Sequence, residues 1–158
     1  MLTGKAFFDS LPKKRMAAGV VFTQNGEVLI VKRSFDGAWL LPGGIVEKDE
    51  SPMAASEREV KEELGGNYPV RELLGVDYVP DHDQRGESLQ FIFYGGELSP
   101  EEAEGVKVDG EEIVEYKFAE LGEAVGLLEP NLAARLPGCV RQIGRSGAVY
   151  MEKGKVKK

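Results

Sequence analysis

Three glutamates near the middle of the chain have the type and spacing to bind a divalent cation. Glu59, Glu62 and Glu63 follow a glycine turn, Gly43-Gly44, and a loop that contains Glu50. On a helix, Glu59 and Glu63 lie about 40° apart and Glu62 about 60° to the other side of Glu59, so one face carries all three carboxylates. Mg²⁺ prefers carboxylate oxygens and often bridges to substrate phosphates. The pattern therefore indicates a cation site beside a diphosphate.

An acidic, solvated helix face is the simpler interpretation of the same glutamates, because Glu-rich surface helices are common. Two neighbouring features favour a functional site. Gly43-Gly44 lets the backbone approach a ligand or a metal, because no side chain intervenes. Arg58 lies inside the acidic patch, where it can pair with Glu50 or with a neighbouring carboxylate and orient it.

The glutamates require a helix to position them, and the sequence predicts one over residues 53–64. Ser51 suits the N-cap and Pro52 the first helical position, and Gly65-Gly66 ends the helix. The apolar stripe expected to anchor it on a sheet consists of Met53, Val60 and Leu64.

Strands and a second helix surround this segment. Gln24-Asn25-Gly26 predicts a tight hairpin turn. The predicted strands are 16–23, 27–33, 69–79, 87–98, 112–119 and 147–151, and the second helix is 129–143. Residues 99–111 are expected to form a loop and the basic tail, about 153–158, to fray. Because strands and helices intermix and a hairpin comes early, the expected fold class is α/β (α+β) with a mixed sheet.

Length and charge limit the possible partners. The 158 residues suit a single domain, 1–158. The net charge of -7 argues against binding a nucleic acid polymer. No apolar run has membrane-spanning length, and the single cysteine, Cys139, weakly favours a reducing compartment, so we expect a cytoplasmic protein. Cys139 itself is expected to be a buried small hydrophobe.

Residues 44–66 resemble the Nudix box, G-x5-E-x7-R-E-U-x-E-E-x-G-U, where U is a bulky apolar residue. Val60 fits the first U, whereas Gly66 departs from the second, which concerns the packing after the helix. All seven fixed positions match: Gly44, Glu50, Arg58, Glu59, Glu62, Glu63 and Gly65.

The resemblance implies an α/β/α sandwich and a hydrolase that uses Mg²⁺, with Mn²⁺ as a substitute. By position it implies metal ligands at Glu59, Glu62, Glu63 and the Gly44 carbonyl. It implies further catalytic roles for Glu50, as a ligand or water-organising carboxylate, and for Arg58, which orients the glutamates. The catalytic base stays open between a box glutamate and an acidic residue from a later loop.

Residues outside the box offer substrate contacts. Two candidates for binding the substrate diphosphate are Arg33, at a strand end, and the Gly43 backbone. For Arg33, a surface arginine without a ligand is an equally weighted interpretation.

Glu111, Glu112 and Glu115 offer a late carboxylate, and the family resemblance favours Glu112. A solvated acidic loop is the more common interpretation for any one of the three. His82 lies in the polar loop 80–86 and is expected to be solvated rather than catalytic.

The resulting hypothesis is a pyrophosphohydrolase that cleaves a nucleoside diphosphate linked to another group X by water attack on phosphorus. X includes the phosphate of a nucleoside triphosphate, a sugar or a second nucleotide. The alternatives are a non-catalytic nucleotide-binding or regulatory module and, ranked last, a prenyl diphosphate isomerase. A homodimer is compatible with the family, but no interface is visible in the sequence.

Overall fold

A nine-stranded mixed sheet forms the centre of the computed structural model, which describes residues 1–158. The main path runs β3-β2-β1-β6-β5-β8-β9, with β4 paired to β1 and β7 paired to β2. The β1–β6 and β5–β8 pairs are parallel and the others antiparallel. The strands are β1 Arg15–Gln24, β2 Glu27–Arg33, β3 Trp39–Leu40, β4 Gly43–Ile45, β5 Glu72–Val79, β6 Ser88–Glu97, β7 Ile113–Ala119, β8 Val149–Glu152 and β9 Lys155–Val156.

Helices cover both faces of the sheet and enclose two apolar clusters. One cluster packs residues of α2 and α3 against the sheet, including Val60 and Leu64. The other packs α4 and α5 on the opposite face, including Leu132 and Leu136. The α+β class with a mixed sheet is thus confirmed. The helices are α1 Gly4–Ser10, α2 Pro52–Leu64, α3 Pro100–Glu104, α4 Leu121–Leu127 and α5 Pro130–Val140.

Helix α2 begins and ends as its sequence predicts. The Ser51 side chain accepts a hydrogen bond from the Ala54 N–H, and Pro52 occupies the first turn. Gly65 ends the helix in the left-handed conformation. Met53 is 37% exposed, so its predicted anchoring role was wrong, and Ala55 is buried on the packed side instead.

Three short helices were missed at the sequence level. Residues 99–111, expected as a loop, contain α3, which a capping box between Ser99 and Glu102 stabilises. Helix α4 follows β7 without a side-chain cap, and α1 lies within the unassigned opening segment 1–15 with none of its residues buried. The strand predicted over 69–79 begins only at Glu72.

The hairpin turn and the chain end add detail to the sheet. Asn25 and Gly26 both have positive φ, as a tight two-residue turn requires. Within the tail expected to fray, Lys155–Val156 pairs with β8. Cys139 is fully buried, as predicted. None of the helices has the length and apolar character needed to cross a membrane.

Candidate active site

Glu59 and Glu63, but neither Glu50 nor Glu62, line a cavity between β4, α2 and the start of β7. We call it the acidic cavity, and its acidic lining residues are Glu47, Glu59, Glu63 and Glu112. The same wall holds Arg33, Gly43 and Gly44. The structure thus brings together most of the site residues predicted from the sequence.

Strand β4 can approach α2 because both of its first residues are glycines. Gly43 has a φ of 147°, and a Cβ there would overlap the Ala18 carbonyl of β1. A Cβ on Gly44 would overlap the Glu59 carboxylate. The backbone therefore comes close to both helix carboxylates, and the Gly43 N–H donates to Glu63 Oε2 at 2.9 Å.

Arg58 links the acidic loop to the helix. Its Nε and Nη2 donate to the two Glu50 carboxylate oxygens at 2.8 and 3.1 Å. Its Nη1 donates to Glu59 Oε1 at 2.7 Å, and Nη2 also reaches the Ile45 carbonyl at 3.2 Å. This two-pronged pairing with Glu50 fixes the guanidinium plane and, through it, the position of Glu59.

The three box glutamates differ sharply in their surroundings. Glu63 is only 5% exposed, and the Glu59 side chain is 14% exposed. The Glu62 side chain is 58% exposed, and its carboxylate lies 3.6 Å from Arg58 Nη1. The shared helical face is present, but the carboxylates do not converge: no three His, Cys, Asp or Glu side chains are arranged to hold a metal ion.

Burial and mutual repulsion act on the two inner carboxylates. Desolvation raises the pKa of Glu63 to about 8, with Glu59, Glu112 and Asp109 adding repulsion against the Gly43 hydrogen bond. Desolvation also raises the pKa of Glu59, although Arg58 opposes the effect. By contrast, the hydrogen bonds from Arg58 lower the pKa of Glu50. Negative charge at Glu59 and Glu63 is therefore only partly balanced by the protein.

This donor set suits a hard divalent cation. Mg²⁺ is usually held by one or two carboxylates and completes its octahedron with water and substrate phosphate, so it does not need a closed protein cage. Glu59 and Glu63 provide two poorly compensated carboxylates beside the open backbone of Gly44. The predicted ligand roles, including those of Glu62 and the Gly44 carbonyl, stay predictions.

Arg33 lies on the border of the acidic cavity in a fixed orientation. Its Nε and Nη2 donate to the Asp36 carboxylate at 3.0 and 2.6 Å, and its guanidinium lies 4.3 Å from the Phe35 ring centre. Arg33 also lines a second cavity. Glu112 faces the acidic cavity, whereas Glu115 instead pairs with Lys32 at 3.5 Å.

The departure from the box at Gly66 has a structural counterpart two residues later. Tyr68 packs on the α2–α3 cluster, and its ring meets Phe22 edge-on with 5.9 Å between centroids. Its hydroxyl donates to the Glu102 carbonyl of α3. An aromatic side chain at position 68 thus supplies apolar packing after the helix.

The second cavity, which we call the arginine-lined cavity, adjoins the acidic cavity across β4. It measures about 270 Å³ and shares Arg33, Gly43 and Gly44 with its neighbour. His82 of loop 80–86 lies on its lining, with Nε2 3.5 Å from the Asn131 amide of α5. Its four arginines are Arg15, Arg33, Arg85 and Arg135.

Sequence reasoning missed Arg135 and its partner Asp77. Arg135 is 6% exposed and Asp77 fully buried, and Arg135 Nε donates to Asp77 Oδ2 at 2.9 Å. A signal was present, because Arg135 shares a helical stripe with the apolar residues Leu132, Leu136 and Cys139. An arginine within an apolar stripe needs a buried partner or a ligand.

Comparison with known proteins agrees with this architecture. The family model for the NUDIX domain matches residues 13–142. An ADP-ribose pyrophosphatase of Methanocaldococcus jannaschii is 35% identical over 116 residues, 61% of this chain and 69% of that protein. A diphosphoinositol polyphosphate phosphohydrolase of Mus musculus is 33% identical over 104 residues, and the match spans 64% of this chain and 63% of the mouse protein.

A solved structure extends the likeness to three dimensions. The crystal structure of a MutT protein from Methanosarcina mazei superposes with a TM-score of 0.68 at 26% identity, covering 86% of this chain and all of that one. Residues 13–142, which the family model matches, contain the glycine turn, helix α2 and the lining residues of both cavities. The chain therefore belongs to the Nudix hydrolase family, and it is a pyrophosphatase of that family.

Proposed function

We propose that this pyrophosphatase depends on a divalent cation and cleaves a nucleoside diphosphate linked to a second group X. The observation that carries the proposal is the pair of desolvated carboxylates, Glu59 and Glu63, held against the glycine backbone of β4. A site that existed only for packing would not bury two glutamates so close together, because each buried charge costs free energy without a partner.

Mg²⁺, or Mn²⁺ in its place, would be held by Glu59, Glu62 and Glu63 with the Gly44 carbonyl. A bound divalent cation neutralises charge on the diphosphate and makes a coordinated water more acidic. Glu62 does not line the acidic cavity, so its exposed side chain would have to turn toward the ion to complete the site.

The chain's own residues then position the carboxylates and the substrate, and one of them accepts a proton. Arg58 holds Glu59 and Glu50 in place, and the Gly43 N–H holds Glu63. Arg33 would donate to a diphosphate oxygen from the shared wall. A carboxylate of the acidic cavity accepts the proton of the attacking water, a new P–O bond forms, and the anhydride P–O bond opposite it breaks. Each product keeps the phosphate groups on its own side of the broken bond.

The test is a hydrolysis panel with identification of both products. Purified protein is incubated with ADP-ribose, nucleoside triphosphates and dinucleoside polyphosphates, with Mg²⁺, with Mn²⁺ and with a chelator. We expect metal-dependent release of two phosphorylated products from at least one substrate. Equal turnover in the chelator would contradict metal dependence.

A non-catalytic nucleotide-binding module is the competing function. The retention of every fixed acidic position of the box argues against it, because binding alone does not require all of them. The same panel separates the two functions: nucleotide binding by calorimetry with no product release under any metal condition would favour the module.

A further inference from the structure

Residues from adjacent strands of the sheet, both polar and apolar, form the floor of the arginine-lined cavity. The sheet register pairs Ala17 of β1 with Gln90 of β6, and Gln90 in turn with Asp77 of β5. The next row aligns Arg15, Ser88 and Val79. Because side chains two residues apart share a face, these rows point to the same side of the sheet, which α5 covers.

Helix α5 places a guanidinium over this floor. Arg135 Nε is bound to Asp77 Oδ2, while Asp77 Oδ1 accepts the Gly154 N–H at 2.9 Å. The other two guanidinium nitrogens of Arg135 make no hydrogen bond within the protein, and both keep some solvent exposure. Arg135 is only 6% exposed and lines the cavity, so it is a buried residue with unused donors at the cavity wall.

The charge around the cavity is also unbalanced. Arg15 and Arg85 lie on its lining, and neither has a carboxylate within ion-pair distance. Arg15 instead donates through Nε to the Arg85 carbonyl at 2.9 Å, which holds the two residues together. Glu129 is the one acidic residue of the lining. In a chain of net charge -7, this is a local positive site.

We propose that Arg135 is a specificity-determining residue that binds a phosphate monoester carried by the substrate in addition to its diphosphate. The inference rests on the proposed function, since it names the substrate class of the same site. The remaining N–H groups of Arg135 form a planar fork, which matches two phosphate oxygens. Arg15 and Arg85 add positive charge, which attracts an anionic phosphate more strongly than a neutral carbonyl group. Asp77 is a positioning residue that fixes the fork.

Two pairs of diphosphates that differ by one phosphate monoester test this: coenzyme A against 3′-dephospho-coenzyme A, and NADPH against NADH. For the intact protein we expect the phosphorylated member to have the higher kcat/KM and the lower dissociation constant, by roughly tenfold to a hundredfold. The dissociation constants are measured by calorimetry with a chelator present, independently of the turnover measurements.

Replacing Arg135 alone would leave the Asp77 charge buried, so the main variant is the double change Asp77→Asn with Arg135→Gln. We expect it to lose the preference through a higher KM for coenzyme A and for NADPH. Arg135→Lys keeps the charge without the fork and should retain part of the preference. The control is Arg145→Gln, an exposed arginine outside both cavities.

The outcomes separate the inference from the function on which it rests. Equal affinities within both pairs, or a preference that survives the double change in a folded protein, overturns the inference and leaves the hydrolase intact. A preference in affinity that depends on Arg135, with no hydrolysis of any diphosphate in Mg²⁺ or Mn²⁺, supports the phosphate site and overturns the proposed function.

Discussion

The two cavities on either side of β4 differ in the sign of the charge that their lining residues leave unbalanced. The acidic cavity keeps Glu59 and Glu63 partly uncompensated at its inner wall. The arginine-lined cavity balances its buried arginine with Asp77 and leaves other donors free. A negative site needs a cation before it accepts a phosphate, whereas a positive site accepts an anion directly. The difference separates the part of the molecule suited to bond cleavage from the part suited to substrate choice.

The largest expected effect is on turnover, in the acidic cavity. Glu59→Gln or Glu63→Gln should lower kcat by about 10²–10⁴-fold, because a neutral amide neither holds a cation nor accepts a proton as a carboxylate does. Steady-state kinetics on the best substrate of the panel measures this. The control is Glu57→Gln, an exposed glutamate on the same helix. Activity near that of the intact protein in both variants would remove the acidic cavity from the mechanism.

The next effect should appear in stability, on the other side of β4. Asp77→Ala leaves Arg135 buried without its partner and removes the acceptor of the Gly154 N–H. We expect the free energy of unfolding to fall by about 3–5 kcal/mol, as for other broken buried pairs. Denaturant melts measure it, with Asp9→Ala as the exposed control. A loss as small as that of the control would mean that the pair does not hold the cavity together.

A smaller change should follow from adding one methyl group between the cavities. In Gly44→Ala, the new Cβ displaces the Glu59 carboxylate without requiring a change in backbone φ. Displacing a catalytic group by about 1 Å costs roughly 10²-fold in rate. Gly122→Ala is the matched control, since a Cβ there meets nothing within 4 Å. If kcat is the same in both variants, Glu59 does not need its present position.

The smallest effect expected is a pH dependence of the metal-free protein. Because burial raises the pKa of Glu63 from 4.5 to about 8, the folded chain binds its proton more tightly than the unfolded chain does. Stability from this group is present below pH 4.5 and is lost as pH rises to about 8. Glu63→Gln should therefore be more stable than the intact protein at pH 8 and closer to it in stability at pH 5. Thermal melts in a chelator at pH 5 and pH 8 measure this; a difference of the same size at both values would contradict it.

The sequence predicted the acidic cavity better than the arginine-lined one, and the reason is distance along the chain. Ser51, Arg58 and the glutamates lie within one helix and its cap, where spacing alone determines the shared face. Asp77 and Arg135 are 58 positions apart and meet only because β5 and α5 pack together. Which glutamate carboxylate is buried also depends on β4, so the helical face could be predicted but the unequal exposure could not.

Local features of the sequence explain the smaller differences between the predicted and the observed helices. The capping box at Ser99 was readable from the sequence, yet the acidic run around it favoured a loop. Helix α4 has no side-chain cap, and its glycines weaken any helical pattern. Met53 fell on the predicted apolar stripe, but it lies in the first turn of α2 and stays 37% exposed.

The hydrogen bond from Gly154 to Asp77 ties the end of the chain to the centre of the sheet. The family model ends at residue 142, but β8 pairs with β5 beyond that point and buries Met151 completely. A chain that ended at residue 142 would leave β5 as an edge strand, paired only with β6, and such edges are templates for aggregation. We therefore expect the folding unit to extend at least to Val156, fourteen residues past the end of the family match.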